Sequence, residues 1–215
     1  MTQAGDGTQR RGREATTAAI LDAAQDLFSS RGYSAVTVRD IARRAGVTHP
    51  LVHQYVGSKA DVFRAVLTRN EGLILAAASD HPDLLESTIR MLRQGLNQPG
   101  RAYARLIVRQ ALNGVPYERT IGNFEALERL VELATSAADS ASPAERAAKR
   151  LDPRFVIACV VMLFLAWSAT ETWVLPALGL KGMEESEGIA ALEHVILNIL
   201  KDSVPGVERD EPTTL

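Results

Sequence analysis

Two histidines four residues apart carry the most direct suggestion of metal chemistry in this sequence. His49 and His53 fall on one face of a short predicted helix, a spacing at which two imidazoles can ligate zinc. The segment reads His-Pro-Leu-Val-His, without the glutamate that follows the first histidine of a metalloprotease, and no third ligand is evident. We therefore predict no bound metal and no cofactor.

No arrangement of residues typical of catalysis is apparent in the sequence. It contains no Gly-x-Ser-x-Gly, no glycine-rich loop after a strand, and only scattered acidic residues. Cys159 stands in Val-Ile-Ala-Cys-Val-Val, which indicates core filling rather than a redox sensor, and a single cysteine forms no internal disulfide. We predict that the protein is not an enzyme, with a small helical enzyme as a competing class.

Two short predicted helices joined by a tight turn describe a helix-turn-helix at about residues 37–56. Ala42 is small where the helices cross, Gly46 ends the first helix, and Val52 faces the same core six residues later. The polar residues of the second helix are left outside, where a recognition helix presents its side chains to DNA. An ordinary helical hairpin is the alternative interpretation of the spacing.

Positive charge collects around this motif. Residues 1–70 hold 10 Lys and Arg against 6 Asp and Glu, whereas the whole chain of 215 residues holds 24 against 26. The N-terminal part therefore carries +4 and the remainder −6, which indicates a nucleic-acid-binding head on an acidic domain. Lys59 opens the fourth predicted helix, where its ammonium and the backbone N–H groups can meet the same phosphate.

The period of the apolar residues predicts an all-α fold throughout. Thr37 and Asp40 have the spacing of a capping box, which places a helix start at Val38. The longest apolar run, 155–167, has thirteen residues, short of the roughly 20 that span a bilayer. It therefore indicates a core or interface helix of a cytoplasmic protein with no membrane partner. The predicted helices cover about 16–30, 38–45, 48–56, 59–80, 83–96, 101–112, 117–138, 144–151, 153–175 and 184–203.

The N-terminal third resembles the TetR family of transcriptional regulators. The resemblance is carried by Ala-Ala-Ile-Leu-Asp-Ala-Ala-Gln-Asp-Leu-Phe at 18–28, Gly-Tyr at 32–33, Thr-Val-Arg-Asp-Ile-Ala-Arg-Arg-Ala-Gly-Val at 37–47 and Tyr-Val-Gly-Ser-Lys at 55–59. It covers roughly residues 13–73. It implies backbone contacts from Thr37 and Arg39, a third helix in the major groove, and phosphate clamps at Tyr55 and Lys59. The predicted DNA-contacting residues are Arg13, Thr37, Arg39, Thr48, His49, Pro50, His53, Gln54, Tyr55 and Lys59.

For the rest of the chain the resemblance implies a helical domain that binds a small molecule and dimerises. A mostly hydrophobic effector is expected between helices. Arg101, Arg105 and Arg109 form a stripe at every fourth residue, which is either a solvated face or an anion-binding wall. The predicted lining residues are Tyr103, Ile107, Phe124, Leu127, Met162, Trp167, Glu171 and Trp173.

A second copy of the chain is expected to pack on the last two long helices. Spacings of 3, 4 and 3 give an apolar seam like that of a packed bundle. The residues predicted at this dimer interface are Ile189, Leu192, Ile196 and Ile199.

These expectations combine into a homodimeric repressor that binds an inverted-repeat DNA operator and is released from it by a small molecule. An activator or co-repressed regulator of the same fold is the alternative, and an architectural DNA binder is a remote one. The predicted organisation is a flexible basic arm at 1–12, the DNA-binding domain at 13–73, the ligand-binding and dimerisation domain at 74–204, and a disordered tail at 205–215.

Overall fold

The structure, a computed structural model, describes residues 4–79, 81–114 and 124–207, without the side chains of residues 4–9 and 11. Every regular element in these ranges is an α-helix, which confirms the predicted fold class. The helices are α1 Ala4–Arg31, α2 Val38–Ala45, α3 His49–Tyr55, α4 Lys59–Ser79, α5 Leu84–Leu96, α6 Gln98–Leu112, α7 Glu125–Ser140, α8 Pro143–Ala148, α9 Pro153–Ala177 and α10 Glu185–Ser203.

The described residues divide into two compact units. The first contains residues 4–70 and 102–114, and the second contains 71–79, 81–101 and 124–207. The division falls within α4 and within α6, so the first unit includes a piece of α6 as well as the N-terminal helices.

The first unit is built around the apolar faces of α1 to α4. Ile20 and Phe28 of α1, Ile41 of α2, Val52 of α3 and Val66 of α4 are all buried to at least 99%. Since each lies on a face with a helical period, burial follows directly from the amphipathic pattern.

A buried polar network fastens α4 to α1 in this unit. Gln25 and Asn70 are each only 3% exposed, and Asn70 Nδ2 donates to Gln25 Oε1 at 2.8 Å. Arg69 donates to the same oxygen at 2.9 Å and to Asp22 Oδ1 at 2.8 Å. Because each buried amide has a partner, the network fixes the helices without leaving these polar groups unsatisfied.

Capping boxes start α2 and α4. Thr37 N–H donates to Asp40 Oδ2 at 3.0 Å while Asp40 N–H donates to Thr37 Oγ1 at 3.2 Å, which confirms the predicted helix start at Val38. Ser58 and Asp61 repeat the arrangement before α4. The hydroxyl of Thr37, then its N–H, hold the pKa of the Asp40 carboxyl below its ordinary value, and those of Ser58 do the same for Asp61.

Two helices begin earlier than the sequence indicated. α1 begins at Ala4 instead of about Thr16, so residues 4–12 are helical where a flexible arm was expected. Arg10 Nε lies 3.3 Å from Glu14 Oε1, one helical turn away, and this ion pair stabilises the N-terminal extension of α1. Extending an existing helix is easier than starting a new one. α6 begins at Gln98 because Asn97 acts as its cap, with Oδ1 accepting from Gly100 N–H at 2.8 Å.

The second unit has its own core, formed where α5, α7, α9 and α10 pack together. The seam predicted for the dimer interface contributes to it: Leu192 is 3% exposed and Ile196 is fully buried, with Ile189 and Ile199 partly buried against the same cluster. These residues pack within the protomer. A dimer interface at Leu192 and Ile196 stays a prediction, since a periodic apolar seam does not specify which neighbour covers it.

The three arginines of the predicted stripe have different surroundings. Arg101 is 8% exposed; its Nε donates to the Leu96 carbonyl at 2.7 Å, its Nη1 to Glu171 Oε1 at 2.7 Å, and its Nη2 lies 3.1 Å from Glu185 Oε1. Arg105 is exposed, and Arg109 is half-buried. Arg101 thus forms a buried ion pair with Glu171. The three arginines together form neither a uniformly solvated helix face nor a single anion-binding surface.

The Lys149 side chain binds backbone carbonyl groups at the end of α10 and in the segment that follows it. Its Nζ donates to the carbonyls of Lys201, Val204 and Val207 at 2.7, 2.9 and 3.1 Å. Pro205 and Val207 are buried, which differs from the disordered tail expected from Pro205 onward. Residues 208–215 lie outside the described part of the chain.

Helix α9 begins at Pro153, as predicted, and continues to Ala177, two residues beyond the predicted end. Among the described residues it is the one helix long and apolar enough to cross a membrane, with a mean hydropathy of 1.9 over an 18-residue window. Only 28% of that window is buried in the protomer. Core helices of water-soluble proteins pass the same test, so the finding is weak support for a membrane span.

Removing one partner of the buried Arg101–Glu171 pair should destabilise the second unit. We expect Glu171→Leu to lower the free energy of unfolding by about 3 kcal/mol, because it leaves a buried guanidinium undercompensated. Urea unfolding at fixed protein concentration measures the loss. Glu86→Ala, which breaks the exposed Arg90–Glu86 pair, is the control and should cost about 0.5 kcal/mol. Equal losses in the two variants would contradict the assignment.

The lowered pKa of Asp40 gives its cap a pH dependence with a defined sign. A carboxyl whose folded pKa lies below its unfolded value of about 3.8 stabilises the fold above that pH and loses the contribution as the pH falls through the folded pKa. We expect Asp40→Asn to lower the melting temperature near neutral pH, and the difference from the parent to shrink as the pH falls below the ordinary Asp pKa of about 3.8. Thermal melts across this range test it, with Glu132→Gln as a surface control. A difference that grew in acid would show the opposite linkage.

Candidate DNA-binding site

The outer surface of α3 gathers most of the predicted contact residues. Thr48, His49, Pro50, His53 and Gln54 are all exposed on or just before this helix. Val52 on the opposite face is fully buried. One short helix thus presents two hydrogen-bonding imidazoles, an amide and a hydroxyl on a single accessible surface, the group types that contact bases and phosphates.

The turn before α3 sets the direction in which this surface points. Gly46 ends α2 with φ +68°, in the left-handed region that glycine adopts without strain. Val47 N–H then donates to the Ala42 carbonyl at 3.0 Å, which closes the end of α2. Ala42 is 3% exposed in the same core as Val52, as the spacing predicted for the helix crossing.

The two threonines at the helix starts are in different hydrogen-bonding states. Thr37 Oγ1 donates to Asp40 Oδ2 at 2.6 Å and its N–H donates to the same oxygen, so both of its donors are used inside the protein. Thr48 is the N-cap of α3 but makes no side-chain capping bond. The Thr48 hydroxyl is therefore the better placed of the two to contact another molecule, and the phosphate contact implied for Thr37 would require its cap to open.

Several cations near the motif already have acidic partners, which the sequence analysis did not anticipate. Arg43 pairs with Asp40, and Arg44 Nη2 lies 3.0 Å from Asp26 Oδ2. Both pairs are exposed to solvent, where an ion pair contributes little and exchanges readily. The sequence signal available for the Arg43 pair was its spacing of three residues from Asp40. Arg39 is exposed on α2.

Two cations lie over aromatic rings beside α3. The Arg13 guanidinium carbon is 5.5 Å from the centroid of Tyr55, and Lys59 Nζ is 4.3 Å from the centroid of Tyr33. Tyr55 and Lys59 are half-buried. The structure thus brings Arg13 to the C-terminal end of α3, although the two are far apart in sequence, and assigns Lys59 a ring partner that sequence reasoning missed.

His49 and His53 contact each other through their rings. The centroids are 4.8 Å apart and the planes are inclined by 68°, an edge-to-face arrangement. Within the described part of the chain no group of three or more His, Cys, Asp or Glu side chains is close enough to hold a metal ion.

The residues predicted to line an effector site are distributed over both units. Tyr103 and Ile107 belong to the first unit, and the other six belong to the second. Met162 and Trp173 are 56% and 75% exposed, and Glu171 is occupied by Arg101. Phe124, Leu127 and Trp167 are half-buried. Apolar residues with a helical period can lie in a core, line a cavity or lie on the surface. The sequence pattern is the same in all three cases, and only the packing distinguishes them.

Open cavities occur elsewhere in the second unit. One of about 560 Å³ lies near the end of α7 and the start of α9, lined by Thr135, Lys149 and Arg154 among others. Another of about 470 Å³ is lined by residues that include Leu84, Ser136 and Val207. None of the eight predicted lining residues contributes to either cavity.

Known proteins are similar to this chain in the sequence of the helix-turn-helix and in the fold. Residues 20–66 match the family described as "Bacterial regulatory proteins, tetR family". The "HTH-type transcriptional repressor Rv3405c" of Mycobacterium tuberculosis is 29% identical over 192 residues, covering 88% of this chain and 92% of that protein. The "HTH-type transcriptional activator FasR" of Mycolicibacterium smegmatis is 40% identical over 68 residues, 30% of this chain and 31% of that protein.

The solved structure of NalD, the secondary repressor of the MexAB-OprM multidrug efflux pump in Pseudomonas aeruginosa, has a similar fold. It superposes with a TM-score of 0.56 at 21% identity, covering 94% of this chain and all of NalD. The motif match, the full-length relative and the fold agree with one another. The family match identifies residues 20–66 as a helix-turn-helix of the kind found in the TetR family of bacterial transcriptional regulators, which are not enzymes, and the rest of the chain is similar to such regulators in sequence and fold.

Proposed function

We propose that this protein is a homodimeric repressor in which each protomer inserts α3 into the major groove of one half of an inverted repeat. The observation that carries the proposal is the exposed polar surface of α3, held by the Gly46 turn and flanked by Arg13, Arg39 and Lys59. Thr48, His53 and Gln54 supply hydrogen-bonding groups for base edges, and the flanking cations supply sequence-independent attraction to phosphates.

Repression is favoured over activation by the extent of the two similarities. The relative named as a repressor matches across both of its parts, whereas the relative named as an activator matches over 31% of its length. Since the helix-turn-helix alone does not encode the sign of regulation, the full-length match has more weight. We place the protein in the cytoplasm, where its operator DNA is found.

The surface that we propose for dimerisation is the exposed apolar face of α9. Phe155, Met162 and Trp173 are 57%, 56% and 75% exposed, and their spacings of 7 and 11 residues place them on one face of the helix. Val195 of α10 is 48% exposed. A second copy of the chain would cover this apolar strip, which is large for the surface of a monomer.

We also propose that a small molecule binding the second unit controls DNA affinity. Trp167 supports this: its indole Nε1 is buried and, among the described residues, has no hydrogen-bond acceptor. A buried donor without a partner destabilises the protein, and an effector with an acceptor would satisfy it. A ligand releases DNA only if it binds the DNA-incompetent state better, and a tenfold weakening requires about 1.4 kcal/mol of difference.

Selection of bound duplexes from random DNA tests the proposed function. We expect an enriched inverted repeat with half-sites about one helical turn apart, because two recognition helices related by a twofold axis read symmetric sequences. Gln54→Ala should change the preferred base at one position of each half-site. Thr37→Ser, which keeps the cap, is the matched control and should leave the selected sequence unchanged. Recovery of unrelated sequences without a repeat would contradict specific binding.

Dimerisation is tested by placing a charge on the exposed face of α9. Met162→Glu should shift the protein toward monomer at micromolar concentration, because it puts a carboxylate in an apolar interface. Sedimentation equilibrium measures the change. Ile196→Glu, at a fully buried site, should unfold the second unit instead, which circular dichroism detects. A Met162→Glu variant that remained dimeric would show that the dimer interface does not include this face of α9.

A further inference from the structure

Lys59 has an aromatic partner that holds its ammonium before any DNA is present. Its Nζ lies 4.3 Å from the centroid of the Tyr33 ring, well inside the distance at which a cation and a ring face attract. Lys59 forms no ion pair within the described part of the chain, so the ring is the group that positions its charge. Tyr33 was not among the contact residues predicted from the sequence.

The Tyr33 ring is itself fixed by its neighbours. Its centroid is 4.8 Å from that of Phe63 and 5.6 Å from that of Phe28, and the Phe28 and Phe63 rings meet edge to face at 5.3 Å. Phe28 is fully buried and Phe63 is 9% exposed. Tyr33 therefore stands on the core of the first unit and cannot follow a mobile lysine.

The backbone around both residues is equally constrained. Gly32, immediately before Tyr33, has φ +83° and ends α1. Lys59 is the first residue of α4 and lies within the Ser58–Asp61 capping box that starts this helix. The ring and the ammonium thus approach each other from two chain positions that local structure fixes.

We propose that Tyr33 is a positioning residue for DNA binding, which acts by holding the Lys59 ammonium in place for a backbone phosphate. This inference rests on the proposed function, in which Lys59 contacts DNA. An ammonium has three donors, and a ring under one side leaves the other side available to a phosphate oxygen. A lysine restrained before binding loses less rotamer freedom when the phosphate arrives, so the ring increases affinity without touching DNA.

The test measures DNA affinity and its salt dependence for Tyr33→Leu, Tyr33→Phe, Lys59→Ala and the Tyr33→Leu/Lys59→Ala double variant. The probe is a labelled duplex of mixed sequence, because a phosphate contact acts on all sequences. We expect Tyr33→Leu to weaken binding about two- to fivefold in the presence of Lys59 and to have no effect in the Lys59→Ala background. Tyr33→Phe, which keeps the ring face, should retain the parental affinity. Lys59→Ala should flatten the salt slope by about 1.

Phe63→Leu is the control for loosening of the aromatic cluster. It should weaken binding, if at all, equally with and without Lys59. A Tyr33→Leu effect that is the same in both backgrounds would assign Tyr33 a packing role, and tighter binding by Tyr33→Leu would mean that the ring competes with the phosphate; either result overturns the inference alone. Unchanged affinity in Lys59→Ala overturns both the positioning role and the Lys59 contact. Absence of duplex binding by the parent protein overturns the proposed function itself.

Discussion

The close approach of α2 and α3 at Ala42 is the constraint on which the DNA-binding surface depends. Ala42 and Val52 share one core, and the left-handed turn at Gly46 lets the chain reverse within a few residues. A larger side chain at the crossing would push the two helices apart and displace the exposed surface of α3. A side chain at Gly46 would meet open space, so its cost would be the strain of the positive φ.

Hydrogen bonds between residues close in sequence and hydrogen bonds between residues far apart in sequence both stabilise this surface. The box between Thr37 and Asp40 fixes where α2 begins, and the bonds from Asn70 and Arg69 to Gln25 fix α4 against α1. The first kind is encoded by residues three apart, whereas the second joins residues more than forty apart. On α3 itself, the side-chain contacts are those between its two histidines and between Tyr55 and Arg13, and the Gln54 side chain stays exposed.

Sequence reasoning succeeded where a structure is determined by neighbours along the chain. The start of α2, its end at Gly46 and the exposure of His53 and Gln54 all follow from spacing and residue type. It does not decide the cases in which the outcome depends on which element covers an apolar face. Ile196 and Met162 both lie in apolar helical patterns, yet the first is in the core and the second is exposed. In the sequence Arg101 is equivalent to Arg105 and Arg109. Its ion pair with Glu171 joins residues seventy positions apart, so only the fold reveals it.

The edge-to-face contact between His49 and His53 has a consequence for how the operator preference of such a protein can evolve. Because each ring restricts the rotamers of the other, the two side chains form one shape rather than two separate contacts. In the DNA complex that we propose, a substitution at either position would release its neighbour and alter the contacts of both. The effects of the two substitutions on base preference would then be non-additive. An evolutionary path from one operator to another would therefore change this pair as a unit.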